Sequence, residues 1–259
     1  MQKKHRNGLI YLSAFILAEI IMICILKAGR FYPFGTKSML IMDMKDQYVE
    51  FLASLRSIFR GESSVFFSWS RSMGGNFIGV FAYYIASPLS FLTVLFPVSK
   101  MPVAVEVLTV LKIGLCSLTF SVYALYLSNK YQGRLRWAVL IPSVCYAFMS
   151  YTMVYSLSVM WLDGVILLPL ILMGLEKIFD GAKGLLYVVC LTLLFISNYY
   201  VGYMVGIFTG IYFLIRICSE YSKEEISREV LRLKRFVICS LVSIAMAAPI
   251  LLCALKDLM

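Results

Sequence analysis

The chain has 259 residues, 61% of them hydrophobic and 15% charged, with a mean hydropathy of +0.86. Soluble domains run at roughly 45–50% apolar and about 25% charged. A soluble enzyme, a disordered tail and a disulfide-rich secreted module are therefore excluded, and a polytopic membrane protein remains. The net charge of +10 comes from short basic clusters between apolar runs, which is the pattern of cytoplasmic loops and not of a nucleic-acid surface.

In chain order, Lys3-Lys4-His5-Arg6 precede an apolar run from Leu9 to Leu26. The run is longer than a signal-peptide core and no small-x-small cleavage site follows it. It reads as an uncleaved first span with the N-terminus cytoplasmic. Residues 28–100 are less uniformly apolar, with Pro33, Gly35, Gly61 and Gly74-Gly75 and charges between Asp43 and Arg60. Within them Met44, Tyr48, Phe51, Leu52, Leu55, Ile58 and Phe59 fall at i, i+4, i+7 and i+8. At about 100° per residue they form a stripe about 120° wide. That spacing predicts an amphipathic helix over 43–60, lying in the membrane interface and stopped by Gly61. Asp43, Gln47 and Glu50 follow each other along one flank of the stripe. Asp43 also stands where a helix N-cap would stand, and Asp46 and Glu50 suit a solvated face.

Segment 77–97 is apolar but holds Ser87-Pro88 and ends at Pro97. Later apolar runs lie near 101–127, 137–153, 164–179, 184–197, 200–217 and 236–255. Basic residues cluster at Lys130 to Arg136, at Lys177 and Lys183, and over 219–235. If 77–97 spanned, those clusters would lie outside, against the positive-inside rule. A re-entrant or surface-lying element is expected there. The result is about seven spans, with 28–100 as one long extracellular loop. The chain reads as a single membrane domain, 1–259, and its apolar finish from Ala248 to Met259 suggests the N-terminal part of a longer protein.

The seven cysteines are odd in number, form no CxxC, and sit in or beside apolar runs, as small buried hydrophobes do. His5 is the only histidine, which excludes a His-based metal site or a Ser/His/Asp triad within this chain. Glu19 and Lys112 fall inside spans, where a charge costs at least about 2.5 kcal/mol. Either they neutralise each other, or Lys112 faces a cavity and binds phosphate. Gly202, Gly206 and Gly210 form GxxxGxxxG, a tight helix-packing pattern.

Several blocks, read together and in order, carry a resemblance. They are Pro33-Phe34-Gly35, Asp43 with Gln47-Tyr48, Ser68-Trp69-Ser70 leading to Gly74-Gly75-Asn76, and Tyr83-Tyr84 with Ser87-Pro88. Trp161-Leu162-Asp163 and Ser197-Asn198-Tyr199-Tyr200-Val201-Gly202-Tyr203-Met204 complete the set. The chain resembles the YfhO family of bacterial polytopic membrane proteins, related to the GT-C class of lipid-linked-sugar glycosyltransferases. The resemblance implies an all-α, GT-C-like transmembrane helical bundle in the bacterial plasma membrane. It implies transfer of a sugar from undecaprenyl phosphate to a cell-surface polymer such as teichoic acid, at the outer face. Asp43 matches the place of the general base, and Asp46 does not fall on the motif. Substrate-binding candidates are Gln47, Tyr48, Arg71, Asn76, Lys112, Asp163, Asn198, Tyr199 and Tyr200. Arg71 and Lys112 are the cations for the departing lipid phosphate, although Arg71 also suits an interface anchor. Asn198 and the tyrosines are placed to meet sugar rings, although tyrosine favours membrane interfaces in any case. Some GT-C enzymes use a divalent cation, for which Asp43 and Asp163 are the outer acids proposed as ligands; the cofactor itself is unknown. A transporter or flippase of a lipid-linked precursor, or a non-catalytic envelope-assembly partner, would share the membrane architecture. The absence of an internal repeat and the acidic, aromatic loop favour the enzyme.

Overall fold

The computed structural model describes residues 2–71, 73–133, 135–220 and 226–258. Apolar runs have no water to satisfy their backbone inside a bilayer, so they fold into helices that bond internally. Helix α1 covers Gln2–Ala28. Helix α2, Val49–Phe59, is preceded by a π-helical stretch, Met44–Tyr48. A two-residue antiparallel hairpin follows, β1 (Phe67–Ser68) against β2 (Gly75–Asn76), with Phe67 opposite Asn76 and Ser68 opposite Gly75. After it come a short α3, Ile78–Val80, a π turn, Phe81–Ile85, and a 3-10 stretch, Pro88–Leu95. The rest is helical: α4 Met101–Lys130, α5 Leu140–Ala147, α6 Ser150–Tyr155, α7 Leu162–Phe179, α8 Leu185–Ser197, α9 Tyr199–Glu220 and α10 Ile226–Leu258.

The contacts give the bundle two distinct ends. At the basic end Arg136 donates to Asn7, and Lys130 pairs with Glu176 at 2.9 Å and Asp180 at 2.8 Å. There too Arg216 meets Glu176 at 2.9 Å, and the Arg232 guanidinium donates twice to the Phe179 carbonyl. Glu176 is nearly fully buried, so Lys130, Arg216 and the Tyr212 hydroxyl, at 2.7 Å, supply what water would have supplied. The opposite end carries residues 29–100. The basic clusters and the N-terminal helix thus share an end, as the positive-inside reading expects.

Among the described residues the chain passes between these ends seven times, but not in seven equal spans. Five helices are long and apolar enough to cross a membrane: Asn7–Ala28, Val98–Lys130, Val159–Phe179, Tyr199–Ser219 and Ile226–Lys256. Of the about seven spans expected, two are not full-length helices: 137–153, and 184–197, whose apolar run is already short for a bilayer in the sequence. Run 137–153 breaks where Met149 turns extended (φ −62°, ψ 154°), between α5 and α6. Helix α8 has 13 residues, about 20 Å at about 1.5 Å each, short of a hydrocarbon core of about 30 Å.

Segment 78–95 is two helices bent by 96°. Phe77 and Phe96, on its two flanks, share one core with Leu52 and Leu55 of α2. The Arg56 Nε donates to the Phe96 carbonyl at 2.7 Å. The segment therefore enters and leaves at the loop end, as a re-entrant element does, and its tip, Ser87, is fully buried.

Two helix backbones approach closely between α7 and α8. A Cβ on Gly174 would stand 2.6 Å from the Tyr187 nitrogen, so only glycine lets the two backbones approach. Tyr187 is fully buried, and its hydroxyl lies 3.1 Å from both Thr209 and Ser240, which ties α8 to α9 and α10. The glycine triplet of α9 is only partly used. Gly202 packs against Phe195, whereas Gly210 has nothing within 4 Å of where a Cβ would be.

Candidate functional site

The apolar stripe of the Met44–Phe59 helix is buried through Met44, Tyr48, Leu52 and Leu55, so its acidic flank faces outward. Asp43 is exposed, and its Oδ1 accepts from the Gln47 Nε2 at 3.4 Å. Asp43 is itself helical (φ −59°, ψ −26°) and makes no side-chain cap bond, because the π turn begins without one. The capping role open in the sequence is not the one it plays. Tyr48 is buried beside it. Burial pushes the Tyr48 phenol up to about 12; a hydrogen bond with Ser158 opposes the shift and the nearby Asp43 carboxylate adds to it. Below that value Tyr48 stays a neutral hydroxyl and cannot serve as a base.

From Tyr48 a continuous chain of aromatic rings crosses the loop end. Tyr48 meets Tyr84 at 5.6 Å, Tyr84 meets Tyr83 at 4.7 Å, and Tyr83 meets Tyr199 at 5.6 Å and Tyr200 at 6.4 Å. Tyr200 continues to Trp161 at 5.9 Å, whose indole N–H points to the Tyr83 hydroxyl at 3.4 Å. The structure therefore brings together Asp43, Gln47, Tyr48, Tyr199 and Tyr200, residues up to 157 positions apart. Asn198 belongs to the same cluster in another capacity. It is fully buried, its amide donates to the Tyr83 carbonyl at 2.9 Å, and its oxygen accepts from the Val201 nitrogen at 2.9 Å. It starts α9 and clamps the re-entrant segment to it.

Lys112 and Asp163 lie elsewhere, below this surface. The Lys112 Nζ is 2.7 Å from Asp163 Oδ2 and donates to the Val159 carbonyl at 2.9 Å. The Ser87 hydroxyl donates to Asp163 Oδ1 at 2.9 Å. Both charged residues are buried, and each is occupied by the other. Of the two readings open in the sequence the structure shows neither a Glu19–Lys112 pair nor an open Lys112: its partner is Asp163. Glu19 of α1 packs over Gly114. Lys112, two residues earlier, points about 200° away around α4, toward α7. Glu19 Oε1 is buried without a hydrogen-bond partner. With Asp163 spent on Lys112 and Ser87, it does not converge with Asp43 on a shared cation. Among the described residues no cluster of three or more His, Cys, Asp or Glu forms a metal site.

Arg71 and Asn76 sit at a second place on the same end. Arg71 is exposed and donates to the Asn76 carbonyl across the hairpin; the Asn76 Oδ1 accepts from the Ile78 nitrogen at 3.2 Å. Arg71 stands on the wall of a cleft of about 360 Å³ between α2 and residues 63–71, which includes six serines and Glu50.

The family model described as "Bacterial membrane protein YfhO" matches residues 13–259. The chain belongs to the YfhO family. No curated protein and no solved structure matches it. Within this YfhO chain the aromatic site was visible in the sequence as separate blocks, because each block is local. The Lys112–Asp163–Ser87 cluster was missed as a unit. The signal was present in Asp163, an acid in the first turn of an apolar helix, which needs a partner once buried. The serine cleft had no spacing signal, since its two walls belong to a helix and an irregular loop.

Proposed function

We propose that this YfhO-family chain transfers a glycosyl group from a polyprenyl-phosphate donor to a cell-surface polymer of teichoic-acid type at the outer face of the bacterial plasma membrane, with Asp43 as general base. The observation that carries the reading is an exposed carboxylate, making no cap bond, at the start of the loop-end helix beside a belt of tyrosines. The acceptor hydroxyl gives its proton to the Asp43 carboxylate as its oxygen bonds to the anomeric carbon. The bond from that carbon to the lipid phosphate oxygen breaks, and its electron pair leaves with the phosphate. Phosphate departs readily, so no protonated acid is required of the protein. Gln47 holds the carboxylate, and the exposed ring of Tyr200 offers a face to a sugar. Lys112 is buried against Asp163 and takes no part in holding the leaving group. The sharing of one end by all the basic clusters supports placing this site on the opposite, outer side.

The test is compositional analysis of surface polymers from a strain lacking the gene, alongside the complemented strain. Loss of one sugar substituent, restored by complementation, is the expected result. Unchanged polymers, with lipid-linked sugar accumulating on the cytoplasmic face, would overturn transfer and indicate a flippase.

A further inference from the structure

The cleft beside α2 carries a second element of recognition. Glu50, Ser54 and Ser57 lie at i, i+4 and i+7 and form one polar stripe along the helix, and all three line the cleft. Across from them Ser63, Ser64, Ser68 and Ser70 line the irregular loop, with Arg71 beside them and Phe51 and Phe77 also in the wall. Two of these hydroxyls are spoken for: Ser64 accepts from the Phe66 nitrogen and Ser68 from the Ser70 nitrogen. The volume of about 360 Å³ falls in the range of small-molecule pockets, about 300–1,000 Å³. Its wall mixes six serine hydroxyls, Glu50 and Arg71 with the apolar Phe51, Ala53, Ile58, Phe77 and Val98, the mixture of polar groups and apolar faces that a sugar ring presents in return. Hydroxyl groups that both donate and accept, with a carboxylate able to accept from two neighbouring hydroxyls, match a polyol or a sugar.

The cleft is placed for this. Asp43 does not line it, but Glu50 of its wall stands only seven residues further along the same helical segment. A chain of hydroxylated repeats could lie along that segment with one repeat at Asp43 and the next in the cleft. We infer that the serine-lined cleft between α2 and residues 63–71 binds a hydroxyl-rich repeat of the acceptor polymer next to the one that reacts. The inference rests on the transfer reading for its ligand, so binding and not turnover is measured.

The experiment uses the full 259-residue chain in lipid nanodiscs and saturation-transfer NMR, with two probes, a glycerol-phosphate tetramer and maltotetraose. Ser54→Leu and Ser57→Leu fill the cleft from α2 at half-buried positions, and unfolding midpoints matching the parent establish that they fold. Binding of either probe, weakened about tenfold or more in both variants through the loss of hydroxyl contacts and space, is the expected result. Whichever probe binds names the repeat as polyol phosphate or sugar. Asp46→Asn, which touches neither the cleft wall nor the base, should bind the probe as the parent does. Binding of neither probe, or equal binding by the parent and the filled variants, would overturn the inference.

Discussion

Lys112 shows what one charge does to its surroundings when it cannot reach water. Its ammonium is fully buried and bonded to Asp163 and the Val159 carbonyl, and Ser87 bonds the other oxygen of the carboxylate. Three separate segments meet there: α4, the start of α7 and the tip of the re-entrant element. Removing one member leaves the other charge buried and unpaired, at about 3–5 kcal/mol, whereas replacing both by apolar groups is often nearly neutral. Lys112→Met should therefore lower the unfolding midpoint sharply in detergent, and Lys112→Met with Asp163→Leu should recover most of it. Glu19→Gln should cost little or stabilise, since Glu19 Oε1 has no hydrogen-bond partner to lose. If Glu19→Gln instead rescued Lys112→Met, the pairing seen here would be wrong. Both charges were visible in the sequence, and so was their depth. Their partners were not, because a shift of two positions along a helix turns a side chain by about 200°.

At the scale of elements, legibility depended on whether a pattern was local. The helix over 44–59 was readable because its stripe is set by spacing within one segment. The π turn that begins it was not, and it is this turn that frees Asp43 from capping. The run 137–153 carries no charge, and its composition hides the break at Met149. Ser87-Pro88 made the re-entrant segment doubtful as a span, and charge bookkeeping on distant loops decided it. Its sidedness is testable: single cysteines near Lys37, Glu62 and Lys100 should all react with an impermeant reagent from one side of the membrane. Labelling of the first two but not the third would mean that 78–95 crosses. Packing gives a paired prediction. Gly174→Ala drives a methyl against the Tyr187 backbone and should destabilise by about 1–3 kcal/mol. Gly210→Ala meets nothing and should be neutral or stabilise by up to about 1 kcal/mol through helix propensity. Equal effects in thermal unfolding would contradict the assignment of the close approach to α7 and α8.

Across the whole molecule the two ends divide the work. The basic end is a network of ion pairs and hydrogen bonds around Glu176 and the end of α7, which ties together α4, α7, α9 and α10. The loop end gathers an exposed acid, a belt of rings and a hydroxylated cleft above the buried Lys112–Asp163 pair. The membrane class and the family were legible from composition and ordered blocks; the separation of the aromatic site from the buried charges required the fold. The account stands or falls on Asp43, and the direct measurement is sugar transfer from a polyprenyl-phosphate donor by the full-length protein and its Asp43→Asn variant. A general base contributes roughly 10²–10⁴-fold in rate, and Asp43 makes no cap bond whose loss would unfold the helix. Asp43→Asn should therefore express like the parent and lose at least about a hundredfold in turnover, while Asp46→Asn stays largely active. Near-normal turnover by a folded Asp43→Asn variant would contradict the account.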